Sequence, residues 1–171
     1  RDIELAFLGS TKSAAYSGRK ALLEELSQVE NLIVTRTNSG EDYLNTMNRI
    51  KFFVSAEVGM GEYKIKNFEA MACGCVLISY DQGQEENNAL GFEDMKNLVL
   101  YKDIDELRSK LNTLRTSPYL ANEIANNGRQ LVERRFTFER LGADIVEAMR
   151  PPLREAEQPG WISCLRNKLG I

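Results

Sequence analysis

One glutamate near the middle of the chain has surroundings that suit chemistry. Glu69 stands in the sequence FEAMACG, and at about 100° per residue a helix through this segment places it beside Ile65. Ile65, Phe68 and Ala72 fall on one arc, which we expect to face a sheet. A carboxylate within that arc is costly to desolvate unless a donor binds it. We therefore expect Glu69 to bind either a ligand hydroxyl or a protein partner, such as Lys66 or a neighbouring backbone group.

Two glycine-containing loops could bring phosphate to the same place. Gly59 and Gly61 precede the helix, and Lys64 and Lys66 occupy its opening turns. Glycine lets backbone approach a ligand closely, and a helix N-terminus with lysines attracts phosphate. A second such loop follows the first predicted strand and contains Gly9, Ser10 and Arg19. Neither loop has the spacing of a P-loop or of GxGxxG, so those two mechanisms are not supported.

The elements that must position these residues alternate between short apolar strands and helices. Five segments are nearly unbroken in apolarity, as strands buried on both faces should be: 3–8, 31–35, 50–54, 76–80 and 97–101. Helical periodicity fills the gaps between them. The alternation predicts an α/β fold, a Rossmann-like parallel sheet of about five or six strands with helices on both faces. Ligands of such sheets bind outside the carboxyl ends of the strands, where both glycine loops fall.

After the fifth predicted strand the chain becomes purely helical. Asp103 can cap a helix together with Glu106, and Pro118 suits the first position of the next helix. Prolines at 151, 152 and 159 then break the pattern. We expect residues 1–150 to form a Rossmann-like domain and residues 151–171 a tail. The amphipathic end of that tail, 161–169, could dock on another domain or lie on a membrane surface, and its shortness favours docking.

Composition excludes several classes of function. With 22 Lys and Arg against 25 Asp and Glu, the net charge of -3 argues against nucleic-acid binding. Histidine is absent, which removes histidine triads and histidine-containing metal sites, and the three cysteines lack zinc-knuckle spacing. No apolar run reaches the roughly 18 residues of a membrane span, and no signal-peptide pattern opens the chain, so we expect a cytoplasmic protein. Since Arg1 leads almost directly into a strand, we also expect a piece of a longer protein.

Three motifs, in order, resemble the C-terminal, donor-binding half of GT-B-fold glycosyltransferases of the group 1 type. Residues 68–74 are similar to the FEAMACG helix of that family, and residues 76–78 to the strand after it. Residues 97–107 resemble its next strand and helix, and residues 136–140 resemble the aromatic-threonine start of its last helix. The similarity covers nearly the whole chain to about Arg150. It implies half of a GT-B architecture.

The resemblance also implies a site for a nucleotide-diphosphate sugar donor. Lys66 and Glu69 would be the catalytic residues, with Glu69 bonded to the ribose hydroxyls. The base would lie near Thr37, at the end of the second strand. The diphosphate and the sugar would be contacted from three segments, by Gly9, Ser10, Arg19, Glu57, Gly59, Gly61, Glu62, Lys64 and Asn67.

One position departs from the pattern of the retaining members of this family. Those members carry two glutamates with seven residues between them, and counting back from Glu69 places Gly61 at the first. Glu62 is one residue too late and Glu57 is four too early. A variant subgroup replaces the first glutamate and keeps a basic residue just before the Phe-Glu pair. The run from Lys66 to Glu69 is similar to that subgroup.

The implied activity is transfer of a sugar from a nucleotide-diphosphate sugar to a glycan-type acceptor, which an N-terminal half would bind. The family needs no metal, so we expect no cofactor. We expect a cytoplasmic protein that can make peripheral contact with the cytoplasmic face of a membrane. The alternative is a non-catalytic interaction or regulatory domain that keeps the fold, which the missing first glutamate favours. A flavodoxin- or receiver-like module is a third class, although a receiver would need acids where Gly9-Ser10 and Ser55-Ala56 stand.

Overall fold

The computed structural model describes residues 1–12 and 17–151. Residues 1–137 form one compact unit. Its strands are β1 (Ile3–Leu8), β2 (Ile33–Thr35), β3 (Ile50–Ser55), β4 (Val76–Tyr80) and β5 (Val99–Tyr101). Its helices are α1 (Ser17–Val29), α2 (Glu41–Arg49), α3 (Ile65–Ala72), α4 (Gln84–Leu90), α5 (Ile104–Thr116) and α6 (Pro118–Arg135).

The five strands form one parallel sheet in the order β2-β1-β3-β4-β5. Ala6 pairs with Ile33 on one side of β1, and Leu5 pairs with Phe52 on the other. The chain therefore leaves β1 for one edge and returns to the opposite side of β1 for the remaining strands. Such a reversal of strand order opens a crevice outside the carboxyl ends of the strands. The predicted fold, a parallel sheet of about five or six strands, is confirmed.

The edge strand β2 is not buried on both faces as predicted, since Ile33 and Val34 are 43% and 41% exposed. Over the other four strands helices cover both faces of the sheet, and alternate residues of each strand enter different apolar clusters. Leu5 and Phe7 belong to one cluster, which includes buried leucines of α1 and α5. Ala6 and Leu8 belong to the other, which includes buried residues of α2 and α3. Strands buried on both faces show nearly unbroken apolarity, which is the pattern that the sequence carries.

Two strands are shorter than the sequence predicts. β2 begins at Ile33 rather than at residue 31, because the Leu32 amide turns back to donate to the Glu30 carbonyl at 2.9 Å. β5 begins at Val99 rather than at residue 97. The side chain of Asn97 instead closes a turn, since its Oδ1 accepts from the Glu93 amide and its Nδ2 donates to the Gly91 carbonyl.

The predicted helix signals of the C-terminal part are confirmed. Oδ1 of Asp103 accepts from the Glu106 amide at 2.8 Å and begins α5. Pro118 occupies the first turn of α6, and the Ser117 hydroxyl accepts from the Leu120 amide.

Residues 138–171 form a second unit, of which the structure describes residues up to 151. It contains α7 (Phe138–Ala148), an amphipathic helix with no buried residue. The predicted amphipathic segment 161–169 lies outside the described residues, and the predicted division near residue 150 stays a prediction. Within residues 1–12 and 17–151, no helix has the length and the hydrophobicity that crossing a membrane requires.

Candidate functional site

A cleft of about 890 Å³ lies at the carboxyl ends of β1 and β2. Three segments build its walls: the loop after β1, the loop after β2 leading into α2, and the first two turns of α3. Its lining residues are Leu8, Gly9, Ser10, Arg36, Thr37, Asn38, Ser39, Gly40, Asp42, Tyr43, Ile65, Lys66 and Glu69. The structure therefore brings both predicted catalytic residues together with three of the predicted binding residues, Gly9, Ser10 and Thr37.

Glu69 has a protein partner that the sequence did not indicate. The hydroxyl of Tyr43, on α2, donates to Oε2 of Glu69 at 2.6 Å. Burial raises the pKa of Tyr43 well above its usual range, and the hydrogen bond to the Glu69 carboxylate raises it further, so the phenol stays a donor. Oε1 of Glu69 has no donor among the described residues. One carboxylate oxygen in the cleft is therefore available to a ligand hydroxyl.

Lys66 does not pair with Glu69. Its Nζ donates to the carbonyl of Leu8 at 2.9 Å, at the end of β1. Burial lowers the pKa of Lys66, and the positive charges of Arg19 and Arg36 lower it further. The carboxylates of Glu69 and Glu57 raise the pKa and offset part of this lowering. A half-buried ammonium ion beside two guanidinium groups is stabilised when an anion enters the cleft.

The orientation predicted for α3 is right for Phe68, which packs against an apolar cluster, but wrong for Ile65 and Ala72. Ile65 is 60% exposed and Ala72 is exposed, whereas the inward residues are Asn67, Ala70 and Met71. The helix packs against β4 and α6, so its buried face is set by two neighbours rather than by the sheet alone. This rotation is what places Ile65, Lys66 and Glu69 on the wall of the cleft.

Gly9 leaves space that a side chain would fill. A Cβ atom at this position would stand 2.8 Å from Cζ of Phe7 and 3.2 Å from Nζ of Lys66. The Gly9 amide is already bound to the Thr35 carbonyl at 3.0 Å. Glycine here keeps the floor of the cleft open beside the ammonium group of Lys66.

Arg19 and Glu57, both predicted to contact the donor, bind each other. Nη2 of Arg19 donates to the two carboxylate oxygens of Glu57 at 2.5 Å, and the side chains are only 10% and 7% exposed. Nη1 of Arg19 donates to the Ser10 carbonyl at 2.9 Å, and Gln82 donates to the Glu57 carbonyl at 2.8 Å. Arg19 lies in the first turn of α1 and not in the predicted loop, and it joins α1 to the loop after β1 and the loop after β3. Neither Arg19 nor Glu57 lines the cleft.

The loop between β3 and α3 lies apart from the cleft lining. Gly59 and Gly61 have φ angles of 70° and 68°, a left-handed conformation that favours glycine. The Lys64 ammonium group pairs with the Glu62 carboxylate. Gly61 lines a separate hollow of about 320 Å³, with Gln82, Gly83, Gln84, Glu85 and Glu86.

Asn67, another predicted binding residue, is buried on the inward face of α3. Its Nδ2 has no hydrogen-bond partner among the described residues. The contacts of Gly59, Gly61, Glu62, Lys64 and Asn67 with a donor therefore stay predictions.

Sequence reasoning missed Tyr43 and Asp42. Periodicity gives no sign of a polar role for Tyr43, because a tyrosine in a helical pattern is typical of a core, and Tyr43 does pack against a core cluster. Its hydroxyl reaches the cleft because a tyrosine can bury its ring and expose its polar tip. Oδ2 of Asp42 accepts from the Asn38 amide at 3.0 Å and so shapes the loop after β2. No three carboxylate or thiol side chains of the described residues come together as a metal site.

A family model described as "Glycosyl transferase-like" matches residues 4–147. The chain belongs to this glycosyl transferase-like family. The sheet order and the cleft at the carboxyl ends of β1 and β2 agree with the half-GT-B architecture that the motifs implied. No curated protein is similar enough to count as a match.

Solved structures with the same fold include an isolated C-terminal domain and longer chains. The C-terminal domain of the group 1 glycosyl transferase LpcC from Francisella tularensis is 16% identical, with a TM-score of 0.55 over 80% of this chain and 87% of that one. HepE from Anabaena is 19% identical, with a TM-score of 0.63 over 85% of this chain and 40% of that one. TarM from S. aureus is 14% identical, with a TM-score of 0.62 over 87% of this chain and 36% of that one.

Identities this low establish the fold alone. The chain spans about two fifths of the length of HepE. Its fold is that of the C-terminal domain of a group 1 GT-B glycosyltransferase.

Proposed function

We propose that this chain is the donor-binding half of a glycosyltransferase and that its cleft holds a nucleotide-diphosphate sugar. The observation that carries the proposal is the placement of Glu69, with one available carboxylate oxygen, and Lys66 on the same wall of the cleft, next to Gly9, which adds no side chain there. The proposal is supported by two neighbours in fold: HepE has been crystallised with UDP and with UDP-glucose, and TarM with UDP.

Each wall of the cleft has a role in this proposal. Oε1 of Glu69 accepts from the ribose hydroxyls. Lys66, Gly9 and Ser10 contact the diphosphate, whose two negative charges offset the cost of the half-buried ammonium ion. Thr37, on the loop after β2, faces the base.

In the transfer step, the bond between the anomeric carbon of the sugar and the diphosphate oxygen breaks. A new bond forms to an acceptor oxygen, whose proton passes to the phosphate oxygen that the bond cleavage releases. Lys66 stabilises the negative charge that develops on the leaving diphosphate, which is where electrostatic catalysis acts. We expect no metal ion to be needed, a glycan-type acceptor bound by an N-terminal half, and a location in the cytoplasm or at the cytoplasmic face of a membrane.

A thermal-shift panel tests the binding part of the proposal. UDP, GDP, ADP and their sugars are added to the chain in the presence of EDTA. A ligand at a hundred times its Kd stabilises by about 2.7 kcal/mol, which corresponds to roughly 5–10 °C for a chain of this size. Glu69→Ala and Lys66→Ala should abolish the shift, whereas Glu85→Ala and Lys102→Ala, outside the cleft, should keep it. No shift with any nucleotide would refute the proposal.

A non-catalytic domain that binds a nucleotide without transfer is the second candidate. It is favoured by the ion pairs of Glu57 with Arg19 and of Glu62 with Lys64, because both acids near the expected first glutamate position already have protein cations as partners. The two candidates differ in the effect of Glu69→Gln on donor hydrolysis by the full-length protein. If the protein is an enzyme, Glu69→Gln should abolish donor hydrolysis. If the domain is non-catalytic, the wild-type protein should already show no hydrolysis.

A further inference from the structure

Tyr43 makes the one hydrogen bond that the described residues donate to the carboxylate of Glu69. The two side chains come from different helices, α2 and α3, and both line the cleft. The hydroxyl of Tyr43 and Oε2 of Glu69 are 2.6 Å apart. This distance is typical of a charge-assisted hydrogen bond from a hydroxyl group to a carboxylate.

Apolar packing holds the ring of Tyr43 in place. The ring packs against the apolar cluster that contains Met47 of the same helix and Ala70 of α3. Because the ring is fixed, the position of the hydroxyl is fixed as well, and so is the carboxylate oxygen that it binds. Glu69 would otherwise turn about several side-chain bonds, since it is only partly buried.

We propose that Tyr43 is a positioning residue, which holds Oε2 of Glu69 so that Oε1 is presented to the ribose hydroxyls of the bound nucleotide. This inference rests on the proposed function. It adds that the cleft selects nucleotides that carry ribose hydroxyls over nucleotides that lack them, and that Tyr43 contributes to this selection through Glu69.

A merely structural role for Tyr43 gives a different pattern of binding. If the hydrogen bond only connects α2 to α3, its loss weakens the binding of every nucleotide equally, with or without ribose hydroxyls. If Tyr43 orients the carboxylate, loss of the hydrogen bond weakens the binding of only those nucleotides whose hydroxyls Glu69 binds. The ratio of the two affinities therefore separates the roles.

The experiment is calorimetric titration of the chain with UDP, GDP and ADP and with the matched 2′,3′-dideoxy diphosphates. The variants are Tyr43→Phe, Glu69→Gln and the double variant. Tyr101→Phe is the matched control, because it removes a buried tyrosine hydrogen bond, to the Ser55 carbonyl at 2.8 Å, outside the cleft. Thermal unfolding of each variant reports whether it is folded.

Tyr43→Phe should weaken the binding of the ribonucleotide about three- to tenfold, the range expected when one side chain must be ordered on binding. Binding of the dideoxy nucleotide should change less than twofold. In the Glu69→Gln background, Tyr43→Phe should have no further effect on the ratio, and Tyr101→Phe should leave the ratio at the wild-type value.

Two results would overturn the inference while the proposed function stands. One is a Tyr43→Phe variant that binds ribonucleotides as tightly as wild type. The other is an equal loss of affinity for ribo- and dideoxy nucleotides. If the wild-type chain binds no nucleotide diphosphate at all, the proposed function fails, and the inference fails with it.

Discussion

Replacing Glu57 by alanine should destabilise the fold strongly, although Glu57 was predicted to contact the donor. The variant leaves the guanidinium group of Arg19 without its carboxylate in a place where the two side chains are 10% and 7% exposed. Removing one partner of a buried ion pair costs about 3–5 kcal/mol, because the remaining charge loses its counterion at a place that water reaches poorly. A domain with about 5–15 kcal/mol of stability would lose a large share of it.

Urea denaturation followed by far-UV circular dichroism measures this loss. Glu62→Ala is the matched control, since Glu62 forms an exposed pair with Lys64 and should cost no more than about 1 kcal/mol. Arg19→Met is the second single variant, and the double variant Arg19→Met/Glu57→Ala removes both charges. The double variant should lose about 2 kcal/mol less than the sum of the two single losses. The reasoning would be refuted if the free energy of unfolding of Glu57→Ala lay within about 1 kcal/mol of wild type. It would also be refuted if the coupling free energy between Arg19 and Glu57 were near zero.

Three further predictions follow from single side chains. Gly9→Ala should lower the free energy of unfolding by about 1–3 kcal/mol, because its Cβ would stand 2.8 Å from the Phe7 ring; urea denaturation with no loss would contradict this. Asp103→Ala should cost about 1 kcal/mol in the same assay through loss of the α5 cap, and Asp103→Asn should restore most of it. Burial raises the pKa of Cys75 to about 11, so at pH 8 the folded chain should react with iodoacetamide far more slowly at Cys75 than the unfolded chain. Peptide mass spectrometry checks that rate, and equal labelling in both states would contradict it.

Local signals explain why most of the fold could be predicted. The bounds of β1 and β4 agree with the sequence, because both strands are buried on both faces and end at turn residues. The cap at Asp103 depends only on contacts within four residues, which a sequence shows directly. The lengths of β2 and β5 were wrong because the deciding hydrogen bonds, at Leu32 and Asn97, compete with the sheet for the same residues.

The candidate site could be predicted only in part, because its decisive contacts join distant segments. Tyr43 and Glu69 are 26 residues apart, and Arg19 and Glu57 are 38 apart. Spacing along the chain cannot show which acid meets which donor when the two residues lie on different elements of the fold. The predicted inward face of α3 was wrong at Ile65, because periodicity assigns every apolar residue to the core, whereas the fold leaves Ile65 exposed on the cleft wall.

The central claim is that the cleft at the ends of β1 and β2 holds a nucleotide diphosphate. Its most direct test is two-dimensional ¹⁵N NMR of the full 171-residue chain titrated with UDP, ADP and GDP. One of them should perturb the amide signals of Gly9, Ser10, Lys66 and Glu69 in a saturable manner. Saturable changes confined to the hollow around Gly61 and Gln84, or no changes with any of the three nucleotides, would contradict the claim.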